Sequence, residues 1–228
     1  MITLAVDTSV RTTSVALLED DDIRAELFVH TGRNHAEVLL PSVERLLASV
    51  GIEKTQIDLF AVTVGPGSFT GLRVGTSTVK GLAFVLQKPV VGICTLDALA
   101  LNVAHADPRT AICPMVDAGR GEVYTALYLP SGPDTYEKTL RECVVCPGEF
   151  LGSIGGAVIF LGDGAQKYRT LISDVLPDRS AFAPLRFNQV RAGAVGLVGR
   201  KKFYDGDKSD IVTLIPDYLR PSYAASPD

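Results

Sequence analysis

The sequence predicts an α/β protein made of two duplicated halves, and three observations carry that expectation. Compact apolar runs at residues 2–6, 59–64 and 111–116 read as buried strands, each followed by a polar or glycine-rich turn. Between them lie long segments whose apolar residues recur at helical spacing. The chain also matches itself at an offset of 110 residues, pairing Ile2 with Ile112, Val6 with Val116, Asp7 with Asp117, Ala16 with Ala126 and Leu17 with Leu127. Both copies read as strand, acid-bearing turn, strand. A chain of 228 residues has room for two such units of about 110 residues each. The expected division is 1–106 and 107–228.

The first thirty residues read as a meander: strand 2–6, polar turn 7–12, strand 13–18, an acidic hairpin tip at 19–22, and strand 23–29. The acid run is a solvated turn. A helix follows, with Asn34 and Glu37 spaced as a capping box and Gly51 as its stop. Leu39, Leu40, Val43, Leu46, Leu47 and Val50 form its apolar stripe, and Pro41 predicts a bend or a later start. Strand 59–64 leads through Gly65-Pro66-Gly67-Ser68 into a helix reaching about Gln87. A short strand at 89–93 precedes a helix from Thr95 or Leu96 to His105. The second half opens with strands at 111–116 and 122–129. Its later elements are sparser: a strand at 158–161, a helix from about Gln166 and a glycine-interrupted helix over 189–203. Residues 215–221 look anchored by their apolar side chains, and the last residues frayed.

Composition narrows the function. Apolar residues make up 46% and charged residues 21%, values of a folded globular chain and not of a disordered one. Basic and acidic counts are 9 and 12 through Arg109, then 13 and 14, so neither half is a basic arm. Binding nucleic acid alone through phosphate neutralisation is therefore not expected. The N-terminus reaches Asp7 with no basic segment before it, unlike a signal peptide, and no apolar run has the ~20 residues of a membrane span. Cys143 and Cys146 form a lone C-x-x-C without a second pair or a nearby His. Together with Cys94 and Cys113 they read as buried thiols of a cytoplasmic protein, and no metal site is expected.

Two segments could carry chemistry. Asp7-Thr8-Ser9 follows a strand and precedes a hairpin, where backbone and hydroxyl donors can meet a phosphate. The competing reading is an Asx turn serving only local N–H groups. Gly65-Pro66-Gly67-Ser68-Phe69-Thr70-Gly71-Leu72-Arg73 fits neither the dinucleotide fingerprint, having Thr70 at the third glycine position, nor the P-loop, having no Lys after Gly71. It leaves a tight turn at a helix N-terminus, suited to an anion or to close strand–helix packing. Gly71, Gly75 and Gly81 suggest close approach of another helix. His30, His35 and His105 share no metal spacing, and Ser68 lacks a nucleophile elbow. His35 reads as a surface residue, and Arg200-Lys201-Lys202 as a solvated helix end.

These residues taken together resemble the TsaB (YeaZ) family, small paralogues of TsaD in the actin-like sugar-kinase superfold. The matching strings are Ile2-Thr3-Leu4-Ala5-Val6-Asp7-Thr8-Ser9 with Ser14-Val15-Ala16-Leu17, His35-Ala36-Glu37 with Leu39-Leu40-Pro41, and Gly65 through Arg73. They continue with Thr95-Leu96-Asp97-Ala98-Leu99-Ala100, Asp117-Ala118-Gly119-Arg120-Gly121-Glu122-Val123-Tyr124, Gly162-Asp163-Gly164 and Pro216-Asp217-Tyr218-Leu219-Arg220. The resemblance is dense to Tyr124 and sparse beyond, and its specific part is G-P-G-S-F-T-G-L-R. Gly119 departs from it, standing where relatives carry a larger or basic residue.

The resemblance implies two actin-like (ribonuclease H-like, ASKHA) subdomains, each a mixed five-stranded sheet with flanking helices. It implies a non-catalytic subunit that works with TsaD and the ATPase TsaE to place threonylcarbamoyl on tRNA adenosine beside the anticodon. The catalytic paralogue has an N-H-x-x-x-H metal motif where this chain has Thr95 and Leu99, neither able to replace imidazole. No catalytic residue and no resident cofactor are therefore expected, with ATP or ADP entering only in the assembled complex. Asp7, Thr8, Ser9, Gly65, Gly67, Ser68, Asp117, Gly162 and Gly164 are candidates for a vestigial phosphate site. The expected partners are TsaD through a helix–helix interface, TsaE in a ternary complex, a second copy when TsaD is absent, and tRNA indirectly. That interface would use His35, Glu37, Leu39, Leu40, Val43, Leu46 and Leu47 of one helix with Phe69, Leu72, Gly75, Val79 and Leu82 of the next. The competing expectation is an independent ATP-dependent phosphotransferase, ATPase or peptidase.

Overall fold

The computed structural model describes residues 1–30, 34–104, 107, 109–132, 135–207 and 209–220. Its elements are β1 (Ile2–Asp7), β2 (Thr12–Glu19), β3 (Asp22–His30), α1 (His35–Val50), β4 (Leu59–Gly65), α2 (Phe69–Leu86), β5 (Val90–Cys94) and α3 (Thr95–Leu101). They continue with β6 (Ala111–Gly119), β7 (Glu122–Gly132), β8 (Thr135–Val145), α4 (Pro147–Leu151), β9 (Val158–Leu161), α5 (Asp163–Lys167), α6 (Arg169–Val175), β10 (Ser180–Phe182) and α7 (Ala192–Tyr204). The chain divides into two compact units, Met1–Ala98 with Val190–Pro216, and Leu99–Gln189 with the residues from Asp217. A contiguous division at 106/107 would give residues 190–216 to the second half; they pack with the first.

The first unit is one sheet in the order β3-β2-β1-β4-β5. The β1–β2 and β2–β3 pairs are antiparallel, and β4 and β5 run parallel to β1. Alternation along the strands sends Leu4, Val6, Val15, Leu17, Phe60 and Val62 into a core shared with Leu39, Val43, Leu46 and Leu47 of α1 and Val79 and Ala83 of α2. On the other face lies α7. Its glycines explain that placement: a Cβ at Gly196 would overlap Leu18, and one at Gly199 would meet the Ala61 Cβ at 2.7 Å. Glycine costs about 1 kcal/mol in a helix interior, and here close backbone approach to the sheet accounts for it.

Glu26 holds the start of α7. Its Oε1 accepts the Gly193 N–H at 3.1 Å, its Oε2 accepts from Arg191 Nη2 at 2.5 Å, and Ser14 Oγ accepts the Ala192 N–H at 3.0 Å. A carboxylate at a helix N-terminus satisfies otherwise unpaired donors and suits the helix dipole. At the far end of α7, Arg200 is buried and paired with Asp21, unlike the solvated residue expected there, while Lys201 beside it is exposed. The acidic hairpin tip gains partners in this way, and Asp20 also accepts from the Met1 ammonium at 3.0 Å.

α1 begins directly at His35, and the Asn34 side chain makes no capping bond, so the expected capping box with Glu37 is not formed. Pro41 sits inside the helix without delaying its start, while Gly51 ends it in the left-handed conformation at φ 72°. α3 ends at Leu101; His105 and the chain beyond Arg220 lie outside the described residues.

The second unit repeats the plan in the order β10-β9-β6-β7-β8, with β7 antiparallel to β6 and β8, and β9 parallel to β6 and β10. Element for element this is the first sheet again, so the duplication legible at offset 110 is structural. Cys113, Met115, Val123 and Phe160 pack with Phe150, Leu151, Ile154, Ile172 and Leu176. The sequence reading lacks β8, β10 and α4. Only Cys113 is a buried thiol, pushed up to about 12 by desolvation; Cys94 and Cys143 are half-buried and Cys146 is exposed. The difference arises because Cys143 lies on an edge strand and Cys146 in the turn after it.

Candidate functional site

The turn after β1 is an Asx turn. Asp7 Oδ1 accepts from Ser9 N at 3.1 Å and Ser9 Oγ at 2.6 Å, and Thr63 Oγ1 of β4 donates a third bond at 2.8 Å. Asp7, Thr8 and Ser9 are all fully buried, and Asp7 Oδ2 has no hydrogen-bond partner among the described residues. Desolvation, opposed by those three donors, raises the Asp7 carboxyl to about 6.

α2 is seated on this turn. Ser68 N donates to Ser9 O at 2.7 Å, and Thr8 Oγ1 donates to Gly71 O at 2.7 Å. Gly67, Gly71 and Gly75 form the contact: a Cβ at Gly67 or Gly71 would overlap the carbonyl oxygen of Ser9 or Thr8, and one at Gly75 would overlap Thr8 Oγ1. Ser68 caps α2, accepting from Gly71 N at 3.2 Å while Leu72 N bonds to Ser68 O at 2.9 Å. Gly71 and Gly75 therefore serve the turn first, and Gly71 also faces a second helix, since a Cβ there would stand 3.3 Å from His35 Nε2 of α1. Gly81 alone of the expected trio faces open space.

His35 is drawn to the same place. It is 96% buried, Nδ1 lies 2.9 Å from Thr13 Oγ1, and burial lowers its pKa. That replaces the surface role expected for it: as the first residue of α1, its ring turns inward to a β2 hydroxyl.

The turn near the end of β6 starts alike and surrounds its acid differently. Asp117 Oδ1 accepts from Gly119 N at 3.0 Å, and both carboxylate oxygens lie 2.8 Å from Lys167 Nζ. Asp163 Oδ1 accepts from Asp117 N at 3.0 Å. Gly119, Arg120 and Gly121 all have positive φ. Arg220 pins the hairpin, donating to Ala118 O at 3.1 Å and pairing with Glu122. Gly162, at φ 101°, lies where a Cβ would overlap Met115 O, and a Cβ at Gly164 would stand 3.0 Å from that same carbonyl. Asn188, which sequence reasoning missed, accepts from Gly162 N at 2.8 Å and is buried; no pattern around it marks that role.

The nucleotide implied by the superfold does not fit these residues. In the first turn, the N–H groups of Ser68, Gly71 and Leu72 are bonded within the protein, and the glycines pack on backbone instead of leaving a cradle. In the second turn, Lys167 occupies the carboxylate that would face a cation. Phosphate binding through these candidates is not what their geometry provides.

The expected interface residues separate into two sets. Leu39, Val43, Leu46, Leu47, Leu72 and Val79 are core side chains of the first unit, and His35 and Gly75 are buried against β2 and the Thr8 side chain. None of these presents a surface, because the helical stripe read from the sequence is the face turned to the sheet. Glu37, Leu40 and Phe69 are exposed, and Leu82 is half-buried. Phe84 and Val85 are exposed as well, at 73% and 77%, and the Arg73 guanidinium stacks 3.8 Å above the Phe69 ring. Thr95 and Leu99, the positions without histidine, are buried.

Two mixed sheets of identical strand order, each with an Asx turn near the end of its first strand, define a duplicated actin-like protein. Residues 29–226 match the TsaD family, described as tRNA N6-adenosine threonylcarbamoyltransferase. The Bacillus subtilis tRNA threonylcarbamoyladenosine biosynthesis protein TsaB is 33% identical, covering 96% of this chain and 94% of its own. Its namesake in Escherichia coli is 30% identical, covering 97% and 95%. Among solved structures, YeaZ from Pseudomonas aeruginosa superimposes with a TM-score of 0.81 at 27% identity, covering 96% and 99%. The chain belongs to the TsaB (YeaZ) family, within the wider TsaD family.

Proposed function

We propose that this chain is the non-catalytic subunit of a tRNA threonylcarbamoyltransferase, required for N6-threonylcarbamoyladenosine formation beside the anticodon. The full-length relatives named for that biosynthesis support the pathway. The absence of a catalytic role is supported by buried Thr95 and Leu99, which offer no metal-ligating imidazole, and by two acids engaged within the protein. The observation that carries a scaffold role is the outer face of the neighbouring helices α1 and α2, where Leu40, Phe69 and Phe84 stand exposed although the inner stripes are complete. Apolar side chains of this size on adjacent helices suit a helix–helix partner, and a stable one buries on the order of 1,200 Å² or more.

In this reading TsaD docks on that face, TsaE joins a ternary complex, and a second copy covers the face when TsaD is absent. The tRNA is engaged through the partner. No described helix is long and apolar enough to cross a membrane, in keeping with work in the cytoplasm beside tRNA. The test is reconstitution of tRNA threonylcarbamoylation with and without this chain, repeated with Leu40→Asp and Phe84→Asp. Activity should require the chain, and both variants should fold normally yet fail to associate with TsaD. Full modification without the chain overturns the assignment. Normal association by both variants overturns the interface.

A further inference from the structure

We propose that Asp7 is a proton-dependent clasp of the first unit: its protonated form best shapes the turn on which α2 is seated, and it is not a charged ligand for a metal–nucleotide group. The argument begins with an asymmetry in its carboxyl. Oδ1 accepts three hydrogen bonds, from Ser9 N, Ser9 Oγ and Thr63 Oγ1, whereas Oδ2 is buried and accepts none from the described residues. An ionised carboxylate shares its charge between both oxygens, so half of that charge lies against an environment offering no donor. Burying bare charge costs far more than burying a bare hydroxyl. The neutral acid keeps the three bonds on Oδ1 and places its hydrogen on Oδ2.

Among the described residues, the surroundings supply no counter-charge. Across β2, the residue paired with Asp7 is Ser14, and beyond it Glu26 and Arg191 are committed to each other and to the start of α7. From β4 comes the Thr63 hydroxyl, and α1 contributes His35, buried and held toward the neutral form. α2 carries Arg73, stacked on Phe69, and Lys80, donating to the carbonyls of Val212 and Leu214. The raised carboxyl value, about 6, is caused first by desolvation, with no charged neighbour among its causes. The clasp reaches α2 through Ser9: Asp7 fixes the Ser9 N–H and hydroxyl, and the Ser9 carbonyl then receives the Ser68 N–H that starts the helix.

The sign is that of a carboxyl raised in the folded state. Its protonated form is favoured by folding, so stability falls as pH rises from 3.8 to about 6 and stays lowered above that. Asp7→Asn keeps the Oδ1 acceptor and mimics the protonated acid at every pH. In urea unfolding of the full chain between pH 4.5 and 7.5, the folding constant of Asp7→Asn relative to wild type should climb with pH, approaching about a hundredfold. A second measurement stands even where the variant fails to fold: carbon-13 carboxyl NMR of the wild type should show Asp7 titrating near pH 6. A ratio that stays flat with pH, or an Asp7 midpoint at 4 or below, overturns the proposal. So does a magnesium-ATP thermal shift present in wild type and lost in Asp7→Asn, because Asp7 would then act as a charged ligand.

Discussion

The turns after β1 and near the end of β6 start from one arrangement: Asp7 accepts the Ser9 N–H at 3.1 Å, and Asp117 accepts the Gly119 N–H at 3.0 Å. What lies around them differs. Thr63 and α2 close over the first turn, leaving a buried carboxyl with one bare oxygen. Lys167 and solvent meet the second, whose acid is paired through both oxygens. Duplication has kept the backbone device while the neighbouring elements decide its electrostatics. A buried acid is controlled by protons, and an exposed ion pair by salt.

The largest effect expected from this contrast comes from glycine substitution. Gly71→Val forces a side chain into the Thr8 carbonyl, so α2 must leave its seat, at a cost of about 3 kcal/mol or more. Gly119→Ala meets open space and carries only the strain of its left-handed backbone at φ 71°, about 1 kcal/mol. Urea unfolding of the two variants measures the ratio. Equal losses would break the contrast between a glycine seated against backbone and one that faces open space.

The plan of the fold was legible because Ile2–Asp7, Leu59–Gly65 and Ala111–Gly119 are nearly continuous apolar strands followed by turns. β8 was not. It is an edge strand, Tyr136-Glu137-Lys138-Thr139-Leu140-Arg141-Glu142, with register shifts against β7, so its apolar residues follow no period of two. The candidate site divides along the same line. Asp7 and the glycines stand out in the sequence, but the partner of Gly71 and Gly75 is Thr8, more than sixty residues away, and spacing cannot name it. The α1 stripe likewise marks the buried face, so periodicity identified the core where an interface was sought. Leu40, in the same stripe, is exposed because the stripe is wider than the contact with the sheet.

His35 sharpens the comparison at intermediate size. His35→Ala leaves the buried Thr13 hydroxyl without its partner, and a loss of about 1–3 kcal/mol is expected. Burial lowers the His35 pKa, so the neutral ring is favoured by folding. Its contribution is complete above 6.5 and is lost as pH falls below 6.5 toward the folded value. Asp7 acts in the opposite sense, gaining stability as pH falls from about 6 to 3.8. Unfolding of His35→Ala across pH 5–8 should show its deficit shrinking on the acid side. A deficit that is constant with pH would separate His35 from the proton-sensitive chemistry of the first turn.

The smallest effect belongs to the second turn. Lys167 and Asp117 are both partly exposed, so water competes for the pair and its net worth is small despite two 2.8 Å contacts. Lys167→Met should lower the thermal midpoint slightly at low ionic strength, and salt should shrink the difference further. The Asp117 hydrogen bond raises the lysine pKa, so the pair stabilises fully below 10.5 and is lost only as pH rises through the higher folded value. Between pH 5 and 8 the Lys167→Met difference should therefore be flat throughout, whereas the Asp7 variant changes below about pH 6 and the His35 variant below pH 6.5. A steep neutral-pH profile for Lys167→Met would mean that the second turn shares the buried character of the first, and the contrast between them would fail.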